Sequence, residues 1–158
     1  PCVTMAAPTR SMGWVMIPRP RASALSAERY SLADMEAMIG ATGAAHLVVG
    51  EADTAIALGS GDVPVLGTPR VVALLEQASV EAITATLENG TTSVGTHVAV
   101  DHVAASFVGA QVEATAEVIE VDGRRLMFRL SARDGDRTIA TGCHTRVVVD
   151  RSRFLESR

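Results

Sequence analysis

An α+β fold, with an antiparallel sheet curved around one long helix, follows from three features of this 158-residue sequence. One strongly apolar pattern of helical period occupies the middle of the chain, from Gly67 onward. Four stretches of strand character come after it. Only short turns separate those strands, so they form an antiparallel meander whose inner face the single helix must cover.

The elements can be justified in order. Ser31 to Ile39 reads as a short helix closed by Gly40, and His46 to Val49 as a strand. Thr54 to Leu58 fits either a short second strand or a helical turn. The run Gly59-Ser-Gly-Asp-Val-Pro-Val-Leu-Gly67 is rich in turn formers and delivers the chain to the long helix. The helix carries its own start signal, with Thr68 as N-cap and Pro69 at the first helical position, where a missing N–H costs nothing. Val71, Leu74, Leu75, Ala78, Ala82 and Ile83 then recur at helical spacing, with Val72 and Ala73 widening the stripe. After a turn at Glu88-Asn89-Gly90 comes a strand from Thr92 to Ala104, interrupted by Gly95. Gln111 to Val121 alternates Val112, Ala114, Ala116 and Val118 with Glu113, Thr115 and Glu117, the pattern of a strand buried on one face. Asp122-Gly123 is a hairpin signal, and Arg124 to Ala132 returns with Leu126, Phe128 and Leu130 on one side. Asp134-Gly135-Asp136 turns the chain into the last strand, Thr138 to Val149.

Composition narrows the function. Aromatic residues make up only 3% of the chain, so the core has to be built from Val, Ala, Leu and Ile. A net charge of −4, with no basic patch interleaved with aromatics, argues against a nucleic-acid partner. No apolar run approaches the roughly 18 residues that a membrane span needs, so no membrane partner is expected. Cys2 and Cys143 lie at opposite ends of the chain without metal-type spacing, which favours a reducing cytoplasm. Residues 1–33 carry Arg10, Arg19, Arg21 and Arg29 against the single acid Glu28, with prolines breaking any pattern. They are expected to be a poorly ordered or non-native tail, with residues 34–158 forming one domain.

Glu76 stands out in the middle of the helix, beside Leu74 and Leu75, where another aliphatic would be expected. Taken with Gly59-Ser-Gly-Asp-Val-Pro-Val-Leu-Gly-Thr-Pro69, Gly95-Thr, His102-Val-Ala-Ala, Val121-Asp-Gly-Arg-Arg-Leu126, Gly142-Cys-His-Thr-Arg146 and Asp150-Arg-Ser-Arg-Phe154, it gives an ordered series over about residues 40–155. This series resembles the fluoroacetyl-CoA thioesterase-like family of hotdog-fold proteins. The resemblance implies a hotdog fold, a homodimer whose subunits pair to form the active sites, and hydrolysis of an acyl-CoA thioester. It also implies that Thr68, Glu76 and His102 serve the hydrolysis, that Gly95 lies near the thioester and that Arg146 borders the site. No metal or cofactor is expected, since coenzyme A arrives as part of the substrate. The family's fluoroacetyl-CoA enzyme has a Phe-bearing lid before the helix, whereas Thr54 to Gly67 here contains no aromatic residue, which points to a different, short or polar acyl group.

The chemistry of these residue types agrees with that reading. Thioester hydrolysis needs a nucleophile, a base and a donor for the oxyanion. Glu76 suits a base or a nucleophile. Thr68 suits direct attack or the positioning of a water, and a helix N-terminus beside it offers N–H groups to an anion. A rise of about 12 Å along the axis between Thr68 and Glu76 keeps them from touching if the helix starts near Pro69. Three resolutions are open: a later helix start, action on different sides of the thioester, or one residue from each subunit. Arg146 shares a strand face with His144 and can reach either an acyl-CoA or a carboxylate such as Glu76. His97 and His102 are five apart on one strand and point to opposite faces, against a shared metal. A non-catalytic acyl-CoA-binding protein of the same fold is the alternative, and a hotdog hydratase or dehydratase is weakened by the lack of an Asp-x-Asn-x-x-His segment.

Overall fold

A computed structural model describes residues 35–157. The expected tail, residues 1–33, and the first part of the helix expected over Ser31–Ile39 lie outside those residues. From Met35 that helix is a single turn that buries Met35 and Met38 and closes at Gly40, whose φ of 86° lies in the left-handed region.

Five strands follow in the chain: β1 (Thr42–Val48), β2 (Thr91–His102), β3 (Gln111–Asp122), β4 (Arg125–Asp134) and β5 (Arg137–Asp150). They form one sheet in the order β1-β3-β4-β5-β2, with every pair antiparallel. Helix α1 (Thr68–Thr84) fills the concave face, packed chiefly on β1 and β3, and a short helix α2 (Arg151–Glu156) follows β5. The α+β architecture of a sheet wrapped on one helix is thus the one the periodicities predict.

Alternation explains the core. Val112, Ala114, Ala116 and Val118 of β3 and Leu126, Phe128, Leu130 and Ala132 of β4 point inward and are buried. Against them α1 sets Val71, Leu74, Leu75, Ala78, Ala82 and Ile83. Small residues let the layers approach closely. A Cβ on Gly43 of β1 would run into the backbone of Ala82 and Ala78, so the helix lies directly on that strand. Val72 and Ala73 do not widen the buried stripe as expected: Val72 is half-buried and Ala73 exposed, because the sheet covers only one side of the helix.

The turns match the hairpin signals. Gly123 and Gly135, at φ 56° and 57°, sit in the two-residue connections β3–β4 and β4–β5.

One long connection, 49–67, joins β1 to α1 and contains a short 3-10 turn at Glu51–Asp53. Its middle is a turn, with Ile56, Leu58 and Val63 exposed, and its two ends are tied together. Thr54 bridges Leu66, and Ala55 N donates to Val65 O at 2.8 Å. Gly67 N donates to Asp53 O at 2.9 Å, while Asp53 Oδ1 accepts from Arg70 Nε of the helix at 2.8 Å. Thr54 to Leu58 therefore contributes a bridge and a turn, not a strand.

Candidate active site

Thr68 opens the helix and is not its cap. Gly67 is the N-cap residue, in extended conformation, and Thr68 and Pro69 are the first two helical residues. The capping assignment fails because the connection is already fixed by Gly67 N on Asp53 O, and this leaves the Thr68 hydroxyl free to turn outward. There its Oγ1 lies 3.0 Å from Nδ1 of His102, the last residue of β2. The helix end is a poorer anion site than its position suggests. Pro69 has no N–H, and the amides of Arg70 and Val71 both donate to Gly67 O. Nε2 of His102 is buried and has no hydrogen-bond partner among the described residues.

Glu76 lies two turns further along, its side chain 41% exposed. The helix does begin at Thr68, so a later start does not bring the two residues together. Glu76 faces another set of groups. Its Oε1 is 3.5 Å from His144 Nε2 and 3.9 Å from Arg146 NH1, both on β5. The five expected site residues thus fall into two clusters, Thr68 with His102, and Glu76 with Gly95 and Arg146.

Gly95 belongs to the second cluster for a steric reason. It pairs with Arg146 across the β2–β5 ladder, and a Cβ there would lie 2.8 Å from Glu76 Oε1 and 2.9 Å from His144 Cε1. Only glycine lets the strand pass so close to both. Immediately after it the register shifts, with Gly95 opposite Arg146 but His97 opposite Thr145. His97 O then accepts from His144 Nδ1 at 2.7 Å.

Arg146 is buried with every arm of its guanidinium engaged. Nε donates to Ser93 Oγ at 2.9 Å, NH2 to Ser93 O at 2.8 Å, and NH1 lies 3.1 Å from His144 Nε2. Burial holds its pKa below the ordinary arginine value, with the Glu76 carboxylate opposing that shift, and as a guanidinium it is the fixed cation of the cluster. Burial likewise holds the His144 pKa below the ordinary histidine value. The His97 carbonyl and Glu76 raise it, and the charge of Arg146 lowers it.

Two members of this cluster were not among the expected site residues. His144 and Ser93 are both polar residues at buried strand positions. A polar residue at a core-facing position is the signal that could have found them, since such groups must be partnered. Among the described residues no group of three or more His, Cys, Asp and Glu is placed to hold a metal, and no helix is long and apolar enough to cross a membrane.

A five-stranded antiparallel sheet wrapped on one helix, with one polar cluster where the helix N-terminus meets the edge strand and another where the middle of the helix faces β5, defines a hotdog protein of the thioesterase type. Solved structures agree. That of the fluoroacetyl-CoA thioesterase FlK superposes with a TM-score of 0.70 at 36% identity, covering 75% of this chain and 92% of that one. A hot-dog-like protein from Thermanaerovibrio acidaminovorans gives a TM-score of 0.71 at 26% identity, over 78% and 93% of the two chains. The fluoroacetyl-CoA thioesterase of Streptantibioticus cattleyicolor is 43% identical over 90 residues, 57% of this chain and 65% of that protein's length. The family model for the fluoroacetyl-CoA-specific thioesterase, FlK, matches residues 49–152. The chain belongs to the fluoroacetyl-CoA-specific thioesterase family.

Proposed function

We propose that this protein is an acyl-CoA thioesterase, hydrolysing a short or polar acyl-CoA to the free acid and CoA without a cofactor, as a cytoplasmic homodimer. The observation that carries the reading is the 3.0 Å contact between the exposed Thr68 hydroxyl and His102 Nδ1. With Nδ1 unprotonated, the imidazole accepts the hydroxyl proton, the arrangement a general base requires. Attack on the thioester carbonyl, by Thr68 Oγ1 or by a water held there, forms the new C–O bond. The C–S bond then breaks, CoA leaves as the thiolate, and the proton taken by His102 is returned to it. Glu76, open to solvent on one side and next to a fixed cation on the other, is the second base. Where Thr68 is the nucleophile, Glu76 takes a proton from the water that attacks the acyl-Thr68 ester, the acyl–Oγ1 bond breaks to release the acid, and the proton goes to Thr68 Oγ1. Gly95 and Arg146 line the acyl side.

The acyl group is inferred from the connection ahead of the helix. One variant of FlK has been crystallised with fluoroacetate and CoA, and another with acetyl-CoA, which supports a CoA ester here. The aliphatic Ile56, Leu58 and Val63 of residues 54–67 stand where no aromatic side chain is available, which favours an ester other than fluoroacetyl-CoA.

Dimer formation is supported by the division of the site into two clusters and by β2, an edge strand with Val98 exposed, which carries a member of each. The test is release of CoA thiol from a panel of acyl-CoAs, run beside Glu76→Ala and His102→Ala. Turnover that both variants lose is expected. Binding of an acyl-CoA with no turnover of any ester would replace the enzyme with a non-catalytic binding protein.

A further inference from the structure

His144 has no part in the mechanism above, yet it is the most deeply buried ionisable group of the cluster, 1% exposed. Its two nitrogens meet groups of fixed character. A carbonyl can only accept, so the 2.7 Å contact with His97 O requires a proton on Nδ1. A guanidinium N–H can only donate, so the 3.1 Å contact with Arg146 NH1 requires a bare Nε2. Both hold at once only in the neutral Nδ1–H tautomer. In that tautomer the 3.5 Å approach of Glu76 Oε1 to Nε2 is not a hydrogen bond, since it sets an oxygen against a lone pair. Glu76 and Arg146 therefore compete for one nitrogen, and protonation decides between them.

We propose that His144 is a positioning residue that hangs from the His97 carbonyl through Nδ1 and holds Arg146 beside Glu76 through Nε2. The proposal rests on the thioesterase reading. The ionisable groups facing His144 are Glu76 from α1, Arg146 from its own strand and His97 from β2, while β4 supplies the uncharged Phe128 ring, 6.3 Å away between centroids. A proton arriving on Nε2 makes it a donor. Arg146 loses its acceptor, and Glu76 Oε1 is drawn into an ion pair and away from the reacting water. Activity should then fall on the acid side as His144 titrates, below the ordinary value of 6.5 because burial resists the charge.

Two substitutions separate the two nitrogens. Asn reaches only as far as Nδ1, so His144→Asn keeps the bond to His97 and deprives Arg146 of its acceptor. Gln reaches Nε2, so His144→Gln offers Arg146 an uncharged oxygen that does not titrate. With the best substrate of the panel, kcat should fall about 10- to 100-fold in His144→Asn, with KM within about threefold, and most of the loss should be recovered in His144→Gln. The acid limb of the His144→Gln pH profile should also move to lower pH. Melting temperatures show whether each variant folds. For the intact protein, nitrogen-15 NMR of the ring should find Nδ1 protonated and Nε2 bare at pH 7.5. His144→Asn turning over at the wild-type rate, an unmoved acid limb in His144→Gln, or the opposite tautomer would overturn the role of His144. A wild-type protein that hydrolyses no acyl-CoA would instead remove the thioesterase reading on which it rests.

Discussion

Thr68 and His102, 34 residues apart, meet at 3.0 Å because one opens the central helix and the other closes the edge strand β2. This makes the hydroxyl a chemical group of the site, since Gly67 occupies the capping position. Thr68→Ala should therefore lower kcat by about 10²- to 10⁴-fold, the usual worth of a positioned acid–base pair. Its stability should change by no more than about 0.5 kcal/mol, as for an exposed residue outside a cap. Steady-state kinetics beside urea denaturation checks both halves. A loss of stability of a kcal/mol or more with activity intact would return Thr68 to a capping role.

Gly95→Ala tests the crowded side of the cluster. Its Cβ, 2.8 Å from Glu76 Oε1 and 2.9 Å from His144 Cε1, is too close to both. Because the Glu76 carboxylate ends a flexible, half-exposed side chain, it should give way first. We expect kcat to drop by tenfold or more, while overpacking destabilises the fold by about 1–3 kcal/mol at most. The pair of measurements is CoA release and thermal melting, and an unchanged kcat would place Glu76 away from the reaction.

The division of site residues into two clusters predicts intersubunit complementation. If Thr68 of one subunit works with Glu76 of the other, mixing inactive Thr68→Ala with inactive Glu76→Ala chains rebuilds one intact site per heterodimer. Unfolding and refolding an equal mixture should recover about a quarter of wild-type activity, from the statistics of a twofold dimer. No recovery in a mixture that light scattering shows to be dimeric would put both residues of each site in one chain.

Stability should also fall on acidification. The His144 pKa is lower in the folded chain than in the unfolded one, so between those two values the unfolded chain binds more protons. The stabilisation it confers is therefore complete above about pH 6.5, its unfolded value, and is lost as pH drops toward the folded one. Chemical denaturation at a series of pH values should show this slope in the wild type and a shallower one in His144→Gln. A wild-type stability that stays flat down to pH 5 would mean the ring is not held neutral.

Much of the architecture was legible in the sequence because hydrophobic period reports it directly. Alternation along Val112 to Val118 fixed the inward face of β3, and the spacing from Val71 to Ile83 fixed the face of α1 that the sheet covers. The site was legible only in part. Thr68 and Pro69 carry a start signal that propensity reads as a cap at Thr68, and a loop hydrogen bond decided otherwise. Of the two groups that face Glu76, Arg146 was legible as a partner for its carboxylate, and His144 was not. His144 lies 68 residues later, and it reaches the carboxylate only because β5 runs beside β2 and the register shifts after Gly95. Gly95 marks an interruption of the strand, but nothing in the local pattern says that the shift sets the His97 carbonyl on His144.

The connection before the helix has a consequence for how such a protein diversifies. Its two ends are cinched by Thr54 on Leu66, Gly67 on Asp53 and Asp53 on Arg70, while residues 56–64 between them carry no part of the sheet. Where this connection meets the acyl chain, as proposed, mutation, insertion or deletion inside the cinch would change that contact and leave the anchor of Thr68 where it is. Substrate preference would then drift over many generations independently of the hydrolytic apparatus, and the same scaffold would be retargeted by exchanging a single stretch of about ten residues.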